Sequence, residues 1–512
     1  MLPLNKSSSS DEGLPSKFKA RLLDCFGYTT AHGYGRVAAA ESRPRRWFWL
    51  LACAAAFGVF TYQLHDLTLQ FLSKPLKTRT QIQHERKLPF PQVTICNLNK
   101  IRQSRIPEKI KKDFPEIISG VGSTGSNSSA PSPTRRHNNK PAVVNFDDLP
   151  ADIKLVEMVH QKLAEYSDDV LQVAGHQLKD LILSCTYNSY GCLYATPNLW
   201  TQFWHHKYGN CFTYNRGKDD HDRKTEVMTS SIPGHEGGLT LELNIEQSEY
   251  ISQLSQEAGV QVFVSTQNEM PFPYELGISA APGYSTAIQL RKVKIGRLDP
   301  FANQSCEPRD NLVDNNIFRR FNVSYSDLTC KISCLATLMN IKCGCVLYTL
   351  KYSKMDVCDM TDEPTADCVD ATYDKYYDGV CESNCREKCR EDSFKMTVSV
   401  SKWPSRHYKS TLQKELEEQK LGNYSSDLGE NFLKLKVYYG ELNYEVLEEE
   451  RAYAFSRFLS DIGGIMGMWI GISALTCVEV LELIASLCYA ILRRIKGQGV
   501  NVIEVQSNEN PA

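Results

Sequence analysis

Two apolar stretches near the ends of the chain, Trp47 to about Leu72 and roughly Phe458 to Leu492, constrain everything between them. Each is long enough to cross the ~30 Å hydrocarbon core of a bilayer as a helix. Arg43, Arg45 and Arg46 precede the first, and Arg493, Arg494 and Lys496 follow the second. Basic flanks stay in the cytosol, so the residues between, about 73 to 455, lie outside the cell or in an equivalent lumen. A cleaved signal peptide fits the first stretch poorly, because 46 polar or mixed residues precede it and no A-x-A-like site follows. A signal anchor leaves the topology unchanged.

Cysteine usage agrees with that topology. Of 18 cysteines, Cys25, Cys53, Cys477 and Cys488 fall in the termini or the apolar stretches, and fourteen fall between. An even number there points to seven disulfides in an oxidising compartment. Glycosylation sequons begin at Asn127, Asn303, Asn322 and Asn423, all in the same region, whereas Asn5-Lys-Ser on the cytosolic side stays unmodified. A formal net charge of -2 gives no basic surface for nucleic acid. No G-x-S-x-G, H-E-x-x-H or P-loop occurs in a suitable context, so the chain is not read as an enzyme and implies no cofactor or resident metal.

Residues 1–46 are polar and flexible in composition, apart from Phe26 to Gly35, where His32-Gly33 reads on its own as a turn. Leu88 to Leu98 alternates and is β-rich, which predicts a strand entering the exterior domain. Gly120 to Pro141 is a low-complexity loop. Leu155, Met158, Val159, Leu163, Val170, Val173, Leu178 and Leu181 predict one or two amphipathic helices stopping near Cys185. From Cys192 to Leu298 the pattern turns to β, with Leu239 to Ile245 and Val260 to Val264 as the clearest strands. Phe432 to Gly440 predicts a last strand, leading through an acidic turn at Glu448, Glu449 and Glu450 into the second stretch.

Ser326 and Asp327 can cap a helix carrying Cys330 and Cys334 one turn apart, and Cys381, Cys385 and Cys389 repeat that spacing. If two antiparallel helices face each other along these stripes, the bridges nest as Cys330 with Cys385 and Cys334 with Cys381, and Cys306 could close on Cys389. Cys343 and Cys345 would then pair with Cys368 and Cys358 in the connecting loop. A zinc site at Cys343-Gly-Cys345 competes, but an oxidising exterior favours disulfides.

In the second stretch Gly463, Gly467 and Gly471 recur every fourth residue, so they share a helix face and allow close approach; plain helix packing explains that as well. Glu479 and Glu482 are harder to explain in an anchor. Ionisable groups in a span usually face water or a partner, and repeated around a symmetric oligomer they make cation-attracting rings. The alternative places them at the inner water interface beside Arg493 and Arg494.

Four pieces together resemble the degenerin/epithelial sodium channel family, which includes acid-sensing and FMRFamide-gated channels. They are His32-Gly33, Phe90-Pro-Gln-Val-Thr-Ile-Cys-Asn-Leu-Asn99, the exterior cysteine set, and Asp461-Ile-Gly-Gly-Ile-Met-Gly-Met-Trp-Ile-Gly471. The resemblance covers about residues 26 to 490. It implies an α+β membrane protein with two transmembrane helices flanking a large disulfide-rich extracellular domain, built on a β-sheet core with peripheral helices. It also implies a homotrimer or heterotrimer in the plasma membrane, multi-pass with both termini cytosolic, conducting sodium and blocked by amiloride-type compounds. Gly471-Ile472-Ser473 matches the family's G-x-S selectivity motif, with Ile472 where the acid-sensing branch usually has alanine. His32-Gly33 matches the N-terminal gating motif. Ser460 matches the position where bulky side chains hold such channels open, with Asp461, Gly464 and Gly467 in the same gate. The family pairing also adds Cys96 with Cys211 and Cys185 with Cys192.

The implied organisation is a cytosolic N-terminus at 1–46, transmembrane helix 1 at 47–72, a ligand-sensing extracellular domain at 73–455, pore helix 2 at 456–492 and a cytosolic C-terminus at 493–512. The stimulus is less legible. Acid-sensing relatives carry a histidine pair just after the first span, where this chain reads Phe71-Leu-Ser-Lys-Pro-Leu76; His84 and the acidic run Asp356 to Asp370 remain as pH sensors. Trp403-Pro404 and the loop before residue 145 resemble the peptide-gated branch. An amidated extracellular neuropeptide of the FMRFamide type is therefore the expected ligand, met by acidic and aromatic residues around Asp147 to Asp180. Proton gating is the alternative, and a membrane-anchored receptor or adhesion protein without a pore is the reading from another class.

Overall fold

The first apolar stretch forms one helix, α1 (Arg43–Leu72). Its one proline, Pro44, sits in the first turn, where the missing N–H costs no helical hydrogen bond. Thirty residues extend about 45 Å, and with a mean hydropathy of 1.4 over its most apolar part this is the one helix among the described residues long and apolar enough to cross a membrane. Trp47, Phe48 and Leu51 are each about two-thirds exposed, so the chain itself supplies no cover for this face. The computed structural model describes residues 33–115, 150–192, 199–299, 306–313, 315–352, 355–418, 428–473 and scattered helical positions from Thr476 to Leu492.

The chain divides into two units, Met1–Lys77 with Glu450–Ala512, and Thr78–Glu449. In chain order the principal strands of the second unit are β1 (Gln92–Asn97), β2 (Ile182–Tyr187), β3 (Tyr190–Gly191), β4 (Trp200–His205), β5 (Gly209–Tyr214), β6 (Leu239–Asn244), β7 (Val260–Ser265), β8 (Ile278–Ala280), β9 (Tyr284–Gly296), β10 (Arg390–Lys402) and β11 (Phe432–Arg451). One sheet runs β10-β9-β11-β6-β2-β3 and another β8-β7-β1-β5-β4. All these pairings are antiparallel except β9 with β11. Leu241, Leu243, Leu435 and Val437 of the first sheet share one core with Ile95, Phe212 and Tyr214 of the second. Each such side chain stabilises the fold by roughly 1.5–3 kcal/mol.

Buried polar groups in this core are matched across the ladder. Thr94 and Thr213 stand opposite each other and their hydroxyls meet at 2.8 Å, and Gln92 Nε2 donates to Ser265 Oγ at 2.7 Å. Such pairing removes the cost of a buried group left without a partner. The expected strand from Leu88 to Leu98 is interrupted: Leu88–Pro89 pairs with Thr229–Ser230, and β1 restarts after Pro91, which cannot donate to a ladder. Glu448, Glu449 and Glu450 lie within β11 rather than in a turn.

The helices follow the apolar spacing with earlier stops. α2 (Ala151–Ala164) and α3 (Asp168–Ala174) are followed by a single turn at Leu178–Leu181, and Cys185 already lies in β2. Val159, Leu163, Leu171 and Ala174 pack with Ile101, Ile106, Ile110 and Ile251. α4 (Asp327–Cys343) opens on a reciprocal cap, in which the Ser326 hydroxyl accepts from Thr329 N and the Thr329 hydroxyl from Ser326 N. It closes on Gly344 at φ +73°. α5 (Glu363–Tyr377) lies beside it.

Seven disulfides join Cys96–Cys211, Cys185–Cys192, Cys306–Cys389, Cys330–Cys385, Cys334–Cys381, Cys343–Cys368 and Cys345–Cys358. Cys96 and Cys211 are direct cross-strand partners on β1 and β5. The facing-helix picture needs correction, because α5 ends at Tyr377 and Gly379 takes φ +83°. Cys381 and Cys385 instead sit in turns, one closed by Cys385 N donating to Cys381 O at 3.0 Å, while Cys368 is on α5 rather than in a loop. Replacing Cys330 and Cys385 together by serine is expected to lower the thermal unfolding midpoint of the purified protein. The loss should fall short of the about 4 kcal/mol that chain entropy gives an isolated loop of 55 residues, because Cys334–Cys381 still closes 47 of them; an unchanged midpoint would count against covalent support.

Candidate functional site

Among the described residues the second apolar stretch is not one continuous helix. α6 (Phe455–Trp469) stops after 15 residues, about 22 Å and short of a bilayer core. Gly471 takes φ +71°, and Ile470 N and Ile472 N both donate to Met466 O, at 3.1 and 3.3 Å. A left-handed glycine ends a helix in this way at no steric cost.

Residues 471–473 are not helical, and Ser473 then restarts the chain. Its hydroxyl accepts from Thr476 N at 3.3 Å, and the buried Thr476 hydroxyl accepts from Ser473 N at 3.1 Å. This reciprocal cap gives hydroxyl acceptors to two backbone N–H donors at the start of the new helix. Thr476, Val478, Leu481 and Glu482 are helical again, and Glu482 is exposed. Gly471, Ile472 and Ser473 therefore occupy a break flanked by helix on both sides. A helix end leaves its last carbonyls without intrahelical partners, so such a break presents backbone oxygens to whatever lies beside it.

α6 runs antiparallel to α1. Phe71 stacks on Phe458 with ring centroids 4.5 Å apart, and Trp469 Nε1 donates to Gln63 Oε1 at 2.8 Å. Ser460, Asp461 and Gly464 line a groove of about 640 Å³ with Tyr62, Gln63 and Asp66 of α1. Asp461 Oδ2 accepts from Tyr453 OH at 2.5 Å. A Cβ added at Gly463, Gly464 or Gly467 meets no atom within 4 Å, so none of the three is required for packing inside this chain. Gly471 is off the helix, and the shared glycine face extends only through Gly467.

Gly33 caps the short helix Tyr34–Ala38 at φ +87°, and a Cβ there would lie 2.5 Å from Cys53 Sγ on α1. Both the left-handed backbone and the contact demand glycine. His32, Glu479, Asn127, Asn303 and Asn423 lie outside the described residues. Asn322 is exposed, in a left-handed turn after Ile317–Phe321. The disulfides lie in the second unit and line no part of the groove or the break.

Residues 25–483, most of the chain, match the family model of the amiloride-sensitive sodium channel. The chain belongs to the amiloride-sensitive sodium channel family. Acid-sensing ion channel 4-B of Danio rerio is 27% identical over 488 residues, covering 93% of this chain and 78% of that protein. The epithelial sodium channel subunit alpha of Xenopus laevis is 27% identical over 89% of this chain and 79% of its own length. Acid-sensing ion channel 2 of Homo sapiens is 28% identical over 86% and 81%. A solved proton-activated chloride channel aligns at a TM-score of 0.31 and 6% identity, over 86% of this chain and 97% of its own, a likeness too slight to bear on the fold. This is a family of ion channels and not of enzymes, and membership sets aside the reading of a pore-less receptor.

Sequence reasoning passed over Asp66, Gln63, Tyr453, Cys53 and Thr476. Asp66 could have been found, since an ionisable residue inside an apolar run is itself a functional signal. The serine and threonine three apart at 473 and 476 are a capping pattern. Gly33→Ala should strain the backbone by roughly 1–2 kcal/mol as well as crowd Cys53. The expected result is a reduced whole-cell current at unchanged surface expression, partly restored in Gly33→Ala/Cys53→Gly; no restoration would count against the contact.

Proposed function

We propose that this chain is one subunit of a trimeric sodium-selective channel of the plasma membrane, opened from outside by a neuropeptide of the FMRFamide type. The helix break at Gly471-Ile472-Ser473 carries this reading. A non-helical backbone is tolerated at membrane depth only where it is buried in protein or lines water. In a homotrimer or heterotrimer, three such breaks around one axis form a ring of carbonyl oxygens that replaces part of a sodium ion's hydration shell. The proposed course is a cytosolic segment at 1–46, a first span at 47–72, an exterior at 73–455, an interrupted second span at 456–492 and a cytosolic tail from 493. Ser460, Asp461, Gly464 and Gly467 form the outer gate, with the open glycine face supporting close packing of copies. Glu479 and Glu482 form the inner acidic ring, and His32-Gly33 bears on the inner pore. Asn127, Asn303, Asn322 and Asn423 are the glycan acceptors.

Burial, with neighbouring cationic groups adding to it, argues against three of the histidines as proton sensors. It pushes His205 down to about 3 and holds His160 and His206 well below the ordinary histidine range. These three imidazoles stay neutral through the pH range of roughly 5–8 in which histidine normally switches. The second reading, proton gating, draws on the relatives named acid-sensing and on Glu157, Glu269 and Glu275, whose carboxyls burial raises above the usual range. Recording current while acid and then amidated peptides are applied separates the two: the expected result is a peptide current, and a large acid current with no peptide response would overturn it.

Substitution of Gly471 by alanine or of Ser473 by alanine is expected to lower the sodium-to-potassium permeability ratio in channels that still reach the surface; an unchanged ratio would remove the filter assignment. An amiloride-type blocker carries a guanidinium, which forms short charge-assisted bonds with a carboxylate. Asp461→Asn should therefore raise the half-blocking concentration about tenfold, equivalent to about 1.4 kcal/mol, measured from dose–block curves.

A further inference from the structure

Lys100 follows β1 and is only 4% exposed, yet its ammonium makes no hydrogen bond or ion pair among the described residues. The face of the Tyr348 ring lies 5.9 Å from it. The backbone holds it in place. Gly209, at φ +71°, lets the Lys100 carbonyl approach to where a Cβ would collide, and the Asn99 side chain donates to Ile101 O at 2.8 Å and to Glu249 O at 3.0 Å.

The ammonium faces a cavity of about 40 Å³ enclosed by α2, α3, the end of β4 and the turn Tyr348–Leu350. A water needs roughly 10–15 Å³ on the same measure, so the space admits one small ion with a water beside it. Lys100, Lys351, Arg320 and His206 line it, with Asp168 as the one carboxylate. Asp168 is already bound to Arg320 at 3.1 Å, which leaves the two lysines in excess. Lys351 donates only to a neutral acceptor, the Ala164 carbonyl. His206 Nδ1 is buried and has no partner among the described residues.

An uncompensated buried charge costs several kcal/mol, so a group in this position either loses its proton or takes a counter-ion. We propose that this cavity binds one small monovalent anion, a halide or a short carboxylate, held by the Lys100 ammonium with His206 and Lys351 around it. The anion supplies the charge that the chain omits. Its aromatic walls, Trp204, Tyr348 and Tyr352, exclude large or doubly charged ions.

The other titratable groups near the ammonium are Glu157, His160, His205 and Lys207. Glu157, on α2, accepts from Tyr348 OH at 3.2 Å, and burial raises its carboxyl above the usual range while Tyr348 and Lys100 oppose that shift. His160 on α2 and His205 on β4 are held neutral by burial, and Lys207 adds repulsion. Burial first, then Lys207, lower Lys100 to about 7 when the cavity is empty. An anion binds the protonated form, so its affinity is greatest below that value and falls as the pH rises.

The test uses purified full-length protein in detergent at pH 6 and constant ionic strength, with sodium chloride, sodium acetate or sodium gluconate. Chloride, acetate or both should raise the thermal unfolding midpoint over gluconate by about 2–4 °C, saturating with concentration. Response to chloride alone identifies a halide site, and response to acetate a carboxylate site. Lys100→Met should abolish the shift and Lys351→Met should reduce it. Equal midpoints in all three salts, or a full shift retained in Lys100→Met, would overturn the proposal. If Lys100→Met does not fold, the wild-type series decides: the difference between salts should disappear by pH 9, and a difference unchanged from pH 6 to pH 9 would overturn it.

Discussion

The helix pair α4 and α5 depends on covalent bonds added to its apolar packing. α4 buries Leu335, Ala336 and Met339 on one side, while Ile341 near its end is three-quarters exposed. What holds α4 to the segment after α5 is the pair Cys330–Cys385 and Cys334–Cys381, and what holds it to α5 is Cys343–Cys368. These bonds draw the two segments together without a continuous helix on the far side. Cys306–Cys389 then ties the strand end at Arg390 to the residues before Ile317–Phe321. In the sheets β1, β5 and β7 are buried along their whole length, and Thr94 with Thr213 and Gln92 with Ser265 pair across the ladder.

Some of this was legible in the residues. The first long apolar helix was plain from composition, and the alternation of Leu239, Leu241 and Leu243 marked a strand with one face inward. The nested bridges were readable from cysteines four apart, even though no helix carries the second set. A single turn closed by Cys385 N and Cys381 O places two sulfurs as a helix does, so spacing alone could not separate the two. A break at Gly471-Ile472-Ser473 is suggested by the G-x-S motif, but its geometry is not visible in hydropathy. Hydropathy sums over residues 470–473 without registering that Gly471 reverses its backbone, and that Ser473 and Thr476 begin a second helix. The Lys100 cavity was beyond reach altogether, because its walls come from residues 100, 163–171, 204–206, 320 and 348–352, which only the packed fold assembles.

The two units express opposite solutions to the same requirement that backbone and charge be satisfied. In the second unit the strand ladders and helix caps meet most backbone needs locally, while side chains such as His206 keep a buried atom without a partner. In the first, α6 ends with its carbonyls directed out of the helix and an open glycine face, and α1 leaves Trp47, Phe48 and Leu51 uncovered. Such a unit is incomplete as a single copy.

Gly33 and Cys53 give that first unit an internal marker. The Cys53 sulfur belongs to no disulfide and lies directly beneath the Gly33 backbone. Its shielding therefore tracks the seating of the amino-terminal segment against α1: while the segment is docked, the thiol is partly roofed by main chain, and when it lifts away the roof goes with it. The labelling rate of Cys53, read apart from the exposed Cys488, is therefore a measure of how closely the Gly33 backbone covers α1.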